Sequence, residues 1–144
     1  MKRVISLCCI LAALALMALP FGIDMDFVSD PGPPMEIVTF QCSYFSMMPI
    51  GYANWMPLVT AVLSLAILFM LVFGLKKDRG KKKDNKIPIC ICLIACIAAS
   101  FVSWSVFSTL TVIGALVFAL HFALLTIQLL SFERPQSVTE GRGF

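Results

Sequence analysis

The only histidine of the chain, His121, lies inside an uncharged stretch that runs from residue 87 to 132. An ionisable side chain in such a stretch is a candidate functional residue, because its burial in hydrocarbon is costly. Gly114, His121 and Gln128 are spaced by seven, which places them within about 20° on one helical face. We therefore predict a candidate intramembrane polar site at His121 and Gln128. The same stripe also fits a seam in which a neutral imidazole bonds a Ser or Thr of a neighbouring helix.

The six cysteines are the second set of residues that could do chemistry. Five fall in predicted helices and one falls outside them: Cys8, Cys9, Cys90, Cys92 and Cys96, and Cys42. A lone cysteine outside the helices has no partner there, which excludes a disulfide-built fold. Thiolates together with His121 could bind a soft metal ion, but adjacent or alternate residues of a helix diverge by about 100° or 200°. Cysteine is also an ordinary small apolar residue, so we predict no metal site and no cofactor.

The residues needed for catalysis are scarce. Nucleophilic and acid–base catalysis require a base within hydrogen-bond reach of its partner, and no acid falls inside any predicted helix. Neither a glycine-rich phosphate loop nor an H-E-x-x-H motif occurs. We predict that the protein is not an enzyme and has no catalytic residues. Four of its acids form an outer acidic loop instead: Asp24, Asp26, Asp30 and Glu36.

Composition identifies the elements that must position these side chains. The chain has 144 residues, of which 60% are hydrophobic and 13% are charged. Soluble domains have about 45–50% apolar and about 25% charged residues, so an ordinary soluble globular protein is excluded. Disorder is excluded too, because it requires low hydrophobicity and high net charge. Since one crossing needs roughly 20 apolar residues, we predict an all-α membrane protein, a four-helix bundle in a single domain at 1–144.

The predicted transmembrane helices are separated by loops of opposite charge. The helices are predicted at 4–20, 54–75, 87–103 and 107–132, with the outer loop at 21–53, a basic loop at 76–86 and a tail at 133–144. Asn54 is the predicted N-cap of the second helix, and Pro57 is tolerated in its first turn. The polar interruption at 103–105, Ser-Trp-Ser, predicts the turn between the third and fourth helices.

The first apolar segment has two interpretations. Lys2 and Arg3, followed by an apolar run and small residues at 13–15, fit a secretory signal peptide with a cleavage site. However, the run extends to Ile23, which is long enough to span a membrane, and Pro20 lies where a helix would end. We predict an uncleaved anchor, and a cleaved signal peptide is the alternative.

The distribution of basic residues predicts the orientation. All eleven Lys and Arg residues fall at the N-terminus, in the basic loop or in the tail, and none falls in the outer loop. Because basic residues accumulate in short cytoplasmic loops, we predict a multi-pass cell-membrane protein with both termini in the cytoplasm. The basic loop has no aromatic residues, so we predict no nucleic-acid partner. We expect it to contact anionic lipid, at roughly 1 kcal/mol per base, through Lys76, Lys77, Arg79, Lys81, Lys82, Lys83 and Lys86.

Two alternating runs in the outer loop predict a β-hairpin. Apolar and polar residues alternate at 23–27 and at 38–44, on either side of a proline-rich turn signal at 30–34. A hairpin alone is marginal in water, so its apolar face must rest on the helices or on lipid headgroups. We expect Phe27 and Phe40 to face the outer end of the helices. An irregular loop is the alternative.

Small residues mark a predicted helix-packing face. Small side chains that recur every four positions allow two helices to approach closely. The pattern does not distinguish packing within the chain from packing against a membrane-protein partner or in a homo-oligomer. The predicted face consists of Cys92, Cys96, Ser100 and Gly114.

The lead-in to the second helix, Tyr44–Ala61, carries a resemblance to known proteins. It contains the run Pro-Ile-Gly-Tyr-Ala-Asn-Trp, preceded by Ser-Tyr-Phe and followed by the helix start Pro-Leu-Val-Thr-Ala. In these residues the chain resembles small uncharacterised four-span integral membrane proteins of Gram-positive bacteria. No function is attached to that group, so the resemblance implies membership and topology only.

Two functions of different classes fit these features. The first is a non-enzymatic structural or accessory membrane protein that binds another membrane protein, or itself, through small-residue helix faces. The second is a small cation transporter or channel-like protein, with the acidic outer loop as a funnel and His121 and Gln128 inside. Transport pathways usually carry carboxylates or several ionisable groups. Because this chain offers a single histidine, we predict the first function.

Overall fold

A computed structural model describes residues 2–30, 36–47, 54–76, 86–107 and 111–131. The elements are, in order, α1 (Lys2–Ala18), β1 (Ile23–Asp30), β2 (Glu36–Cys42), α2 (Met56–Lys76), α3 (Lys86–Phe107) and α4 (Val112–Leu129). The protein is therefore mostly helical, with four helices and one small two-stranded hairpin in the described part.

Three of the helices, α2, α3 and α4, are long and apolar enough to cross a membrane. The remaining helix, α1, has 17 residues, and its apolar part, Val4–Ala18, is shorter than the other three spans. At 1.5 Å per residue, α1 is about 26 Å long, against about 30 Å for the hydrocarbon core of a bilayer. Length and composition therefore support three crossings, and a fourth remains a prediction.

The four helices pack around a common interior, with α1 and α3 each lying between α2 and α4. Two apolar clusters fill this interior. The cluster next to the hairpin contains Met17, Ile23, Met25, Cys42, Tyr44, Ala61 and Val117. The deeper cluster contains Ile10, Ile67, Ile89, Leu93, Cys96 and Leu124. Because α1 contributes to both clusters, it forms part of this interior together with the longer helices.

Polar side chains are turned inward and large apolar ones outward. On α2, for example, Phe69 and Phe73 are 58% and 60% exposed, whereas Thr60 and Ser64 are fully buried. A helix on the surface of a water-soluble protein turns its apolar side inward and its polar side toward solvent. Apolar side chains on the outside are favoured where the surroundings are hydrocarbon. The buried polar residues are Ser6, Asn54, Thr60, Ser64, Ser100, Ser103, Thr111, His121 and Gln128.

The strands β1 and β2 pair antiparallel, which confirms the predicted hairpin. The register aligns Ile23, Met25 and Phe27 with Cys42, Phe40 and Val38. These residues form the apolar face, but burial is uneven: Met25 is 9% exposed and its partner Phe40 is 47% exposed. The rings of Phe27 and Phe40 meet edge to face, with centroids 5.2 Å apart. β1 therefore lies against the helices, and β2 lies outboard of it.

Tyr44 fastens the hairpin to the helices. Its backbone N–H donates to the carbonyl of Met17 at 3.1 Å. A Cβ added at Gly22 would lie 2.9 Å from the Tyr44 ring, and one added at Gly114 would lie 3.2 Å from its hydroxyl. The hydroxyl of Thr111 donates to the carbonyl of Gly22 at 2.8 Å. These contacts join the segment between α1 and α2 to the start of α4.

The predicted turn at 103–105 is wrong, because α3 continues through these residues to Phe107. Serine competes with a helix when its hydroxyl bonds the backbone in another conformation. Here the hydroxyl of Ser105 donates to the carbonyl of Phe101, one turn earlier, at 2.9 Å. The hydroxyl is thus satisfied within the helix, and the polar sequence does not interrupt it.

Two helix starts also differ from the prediction. α4 begins at Val112, five residues later than predicted, after the N-cap Thr111, whose hydroxyl accepts the N–H of Gly114 at 2.9 Å. α2 begins two residues later than predicted, at Met56. The carboxamide oxygen of Asn54 accepts the N–H of Met56 at 3.3 Å. Asn54 therefore satisfies a free N–H of this helix from just outside its first turn.

Candidate functional site

His121 lies in α4 and points into the interior, where it is 1% exposed. Its Nε2 lies 2.9 Å from the hydroxyl oxygen of Ser64 on α2, and its Nδ1 lies 2.8 Å from the carbonyl oxygen of Val117. The Ser64 hydroxyl also donates to the carbonyl of Thr60 at 2.7 Å. The sulfur of Cys96 on α3 lies 4.0 Å from the Ser64 oxygen. We call these five residues the His121 cluster.

The hydrogen bonds of the cluster determine where its protons lie. A carbonyl only accepts, so the contact with Val117 places a hydrogen on Nδ1 of His121. In a neutral ring Nε2 is then an acceptor and needs the hydrogen of Ser64. That single hydrogen is also within reach of the Thr60 carbonyl. Apart from the Cys96 thiol, the neutral cluster thus holds two hydrogens for three contacts, and one of these three contacts always lacks its hydrogen.

Gln128, the second residue of the predicted polar site, is not joined to His121. Its side-chain amide donates to the hydroxyl of Ser6 on α1 at 3.3 Å. Between the two polar residues lies Leu124, which is 1% exposed and packs in the deeper apolar cluster with Leu93. The structure therefore places His121 and Gln128 in two separate interhelical contacts with a close-packed apolar layer between them.

The predicted helix-packing face is used inside the protein. Cys96 and Ser100 are buried, Cys92 is half-buried, and Gly114 lies beneath the Tyr44 hydroxyl. The hydroxyl of Ser100 is buried without a hydrogen-bond partner among the described residues. These small side chains allow α2, α3 and α4 to approach one another, and they offer little surface to a second molecule.

Two of the four acids of the outer loop are held by neutral partners. On the face of the hairpin opposite the apolar one, Gln41 donates to Asp24 at 3.0 Å. Beside it, Thr39 donates to Asp26 at 2.6 Å. These two contacts join the side chains of β1 and β2 on this face of the hairpin. The other two acids of the loop end β1 and begin β2: Asp30 and Glu36.

Burial raises the pKa of two titratable groups near the hairpin, both of which are neutral at pH 7. Loss of hydration raises the pKa of Tyr44 to about 12. Loss of hydration also raises the pKa of Cys42 above its usual value of 9.0, and the charge of Asp24 adds to this while a hydrogen bond with Ser46 opposes it. Neither group is a nucleophile under these conditions, and both serve to pack the hairpin.

Metal-binding residues do not converge in the regions that the structure describes. Across these regions no group of three or more His, Cys, Asp or Glu side chains could hold a metal ion, and the six cysteines are free thiols. Cys96 is the one cysteine of the His121 cluster, and its sulfur donates to the carbonyl of Thr60 at 3.8 Å.

Most of the predicted lipid-binding residues lie outside the described residues: Lys77, Arg79, Lys81, Lys82 and Lys83. Lys76 is the last residue of α2. Lys86 begins α3, and its ammonium group donates to the carbonyl of Ser131 at 3.2 Å. This contact ties the start of α3 to the end of α4 at the end of the helices that lies away from the hairpin.

Ser64 is the functional neighbour that sequence reasoning did not connect with His121. Thr60 and Ser64 repeat at four residues, the spacing that marks a helix-packing face. That spacing shows which side of α2 is polar, but it does not show which helix lies opposite. The contact becomes visible only when the relative rotation of α2 and α4 is known.

Comparisons of the chain with models of protein families, with curated proteins and with solved structures found no match. The resemblance to four-span proteins of Gram-positive bacteria therefore stays a prediction. Function has to be argued from the contacts of this chain alone.

Proposed function

We propose that this protein is a non-enzymatic integral membrane protein of structural or accessory type, which binds another membrane protein or itself. It has four crossings and cytoplasmic termini, and its basic loop contacts anionic lipid. The observation that carries the proposal is the way in which the buried polar groups are used. His121 with Ser64, and Gln128 with Ser6, each join two helices, which favours a fixed scaffold.

The same observation argues against a transport route. A conducting path needs polar groups or water in succession through the membrane. Here Leu124 and the deeper apolar cluster separate His121 from Gln128. The carboxylates of Asp24 and Asp26 lie on the hairpin and not among the helices. We therefore propose binding as the activity of the protein.

Retention of α1 as the fourth crossing is supported by its packing. Ile10 and Met17 are fully buried, one in each apolar cluster. Ser6 accepts the hydrogen bond of Gln128. Cleavage of α1 as a signal peptide would open both clusters and leave a polar amide unpaired in hydrocarbon, which is costly.

The proposal is tested by purifying the tagged full chain from its own membranes in a mild detergent and measuring the mass of the intact complex. We expect a species that contains a stoichiometric second chain, either a different protein or another copy. A lone chain under all detergent conditions would overturn the proposal. Cation flux in proteoliposomes that disappears in His121→Asn would overturn it in favour of transport.

A further inference from the structure

The outer strand of the hairpin is β2. Among the described residues the sheet has two strands, so β2 pairs there with β1 on one side only. Its residues are mostly exposed, including Ile37 at 63% and Phe40 at 47%. An exposed strand edge presents unpaired N–H and C=O groups, to which an extended segment can add as a further strand.

The charge of this surface is strongly one-sided. Residues 21–52 contain four acids and no Lys or Arg. The described partners of Asp24 and Asp26 are a carboxamide and a hydroxyl, both neutral. These two carboxylates belong to β1, so a strand added beyond β2 would lie about 9.6 Å from β1, two strand spacings away. Long basic side chains that extend from it across β2 would come within reach of the carboxylates.

Charge selects the occupant of this edge. A second copy of the chain would bring its own acidic hairpin, and like charges in contact disfavour association. The residues that flank the basic loop lie far from the hairpin: α2 runs from Met56, near the hairpin, to Lys76, which is about 30 Å away along the helix axis. A basic, extended segment of a different protein can both pair with the backbone of β2 and complement the acidic side chains beside it.

We propose that β2 binds an extended segment of a partner protein as a third strand, and that this segment alternates basic and apolar residues. Its basic side chains face Asp24 and Asp26, and its apolar side chains cover Phe40 on the other face. The inference rests on the proposed binding function and names the chemistry of the partner. It also gives a role to a hairpin that is marginal by itself and whose Asp24 and Asp26 have neutral partners among the described residues.

The test uses the full chain in nonionic detergent and a labelled peptide of four Arg-Val repeats, with affinity read from fluorescence anisotropy. We expect saturable binding that weakens as salt is added. A Glu-Val peptide of the same length should not bind. An Arg-Val peptide with one central proline should bind at least tenfold more weakly, because it keeps most of the charge and interrupts the backbone ladder. Equal binding of the proline peptide would overturn strand addition.

Variants of the protein test the role of charge. In the double variant Asp24→Asn and Asp26→Asn, we expect about tenfold weaker peptide binding, since two exposed ion pairs are lost. The matched control, Asp78→Asn and Asp84→Asn in the basic loop, should leave the affinity unchanged. Equal effects of the two double variants would overturn the proposal.

Failure of strand addition at β2 and failure of the proposed binding function give different results. A stoichiometric partner whose binding survives the hairpin variants would leave the proposed function standing and remove this inference. Rapid disulfide formation between hairpins of two Ile37→Cys copies would instead identify a second copy at the edge, and would overturn the basic-partner proposal.

Discussion

At the scale of single residues, the shared hydrogen of Ser64 is the feature with the largest consequence. The hydroxyl lies 2.7 Å from the Thr60 carbonyl and 2.9 Å from Nε2 of His121. In hydrocarbon no water replaces a lost partner. Removal of this hydroxyl therefore leaves the imidazole nitrogen without a donor, and the contact between α2 and α4 loses its only polar bond in the cluster.

We expect Ser64→Ala to lower the free energy of unfolding by about 0.5–1.5 kcal/mol, the range measured for hydrogen bonds between membrane helices. Ser105→Ala is the matched control, because that exposed hydroxyl bonds only its own helix and its loss should change stability little. Unfolding in mixed detergent micelles provides the measurement. A control variant as destabilised as Ser64→Ala would contradict the role given to the His121 cluster.

Sequence reasoning identified His121 and Gln128 but not their partners. Helical period alone places both on one face of α4, and both are buried there. Their partners depend on which residues of α1 and α2 happen to face α4. That depends on packing among many small side chains at once, which a single sequence does not reveal.

At the scale of elements, the hairpin shows that two residues paired across its strands can differ strongly in burial. Met25 and Phe40 face each other across the strands on the apolar face. Only Met25 is covered by the helices, because β2 is the outboard strand. The expectation that Phe27 and Phe40 both face the helices therefore holds for the face of the sheet, and it fails for the degree of burial of Phe40.

This difference predicts unequal effects of one substitution at paired positions. Met25→Asp places a carboxylate in the apolar cluster beside the helices, and we expect a loss of several kcal/mol, because the charge is buried without a partner. Phe40→Asp should cost about 1 kcal/mol, chiefly through loss of the ring contact with Phe27. Thermal denaturation in detergent measures both, and a larger loss in Phe40→Asp would reverse the assignment of inner and outer strands.

The alternation of apolar and polar residues predicted the hairpin correctly. At the end of α3, by contrast, polar residues led to a turn prediction that is wrong. Strand periodicity survives in the sequence because one face of the hairpin is buried. The serines at 103 and 105 looked like a turn because polar residues are usually found outside spans. Ser103 is buried beside Asn54, whose amide lies 3.4 Å from its hydroxyl, so polarity there reflects a contact between α3 and the residues just before α2.

At the scale of the whole molecule, buried polar side chains and an exterior of large apolar side chains fit lipid surroundings. The three longest helices can each cross a membrane. The acidic hairpin lies at one end of the helices, and Lys76 and Lys86 lie at the other. This separation of acidic and basic residues to opposite ends fits the predicted orientation, in which the hairpin is outside the cell.

Cysteine labelling with a membrane-impermeant maleimide tests that orientation. In a Cys42→Ala background, we expect Ile37→Cys to react in intact cells, because residue 37 is 63% exposed. A cysteine at position 84 should react only after permeabilisation. Labelling of position 84 in intact cells would overturn the orientation with both termini inside.

Native Cys42 should react slowly at pH 7 and faster as the pH rises, because burial raises its pKa.

The sequence positions of the contacts that join Gly22 and Tyr44 to the start of α4 also determine when these contacts can form during synthesis. Gly22 and Tyr44 belong to the first third of the chain, yet they are held by Thr111 and Gly114 at the start of the last helix. During synthesis the hairpin emerges long before the helix that holds it. Its contacts with α1 and α2 can form earlier, whereas its contacts with α4 can form only after α4 has been made and inserted. Loss of the last helix would thus remove part of the support of a hairpin that lies some 90 residues upstream.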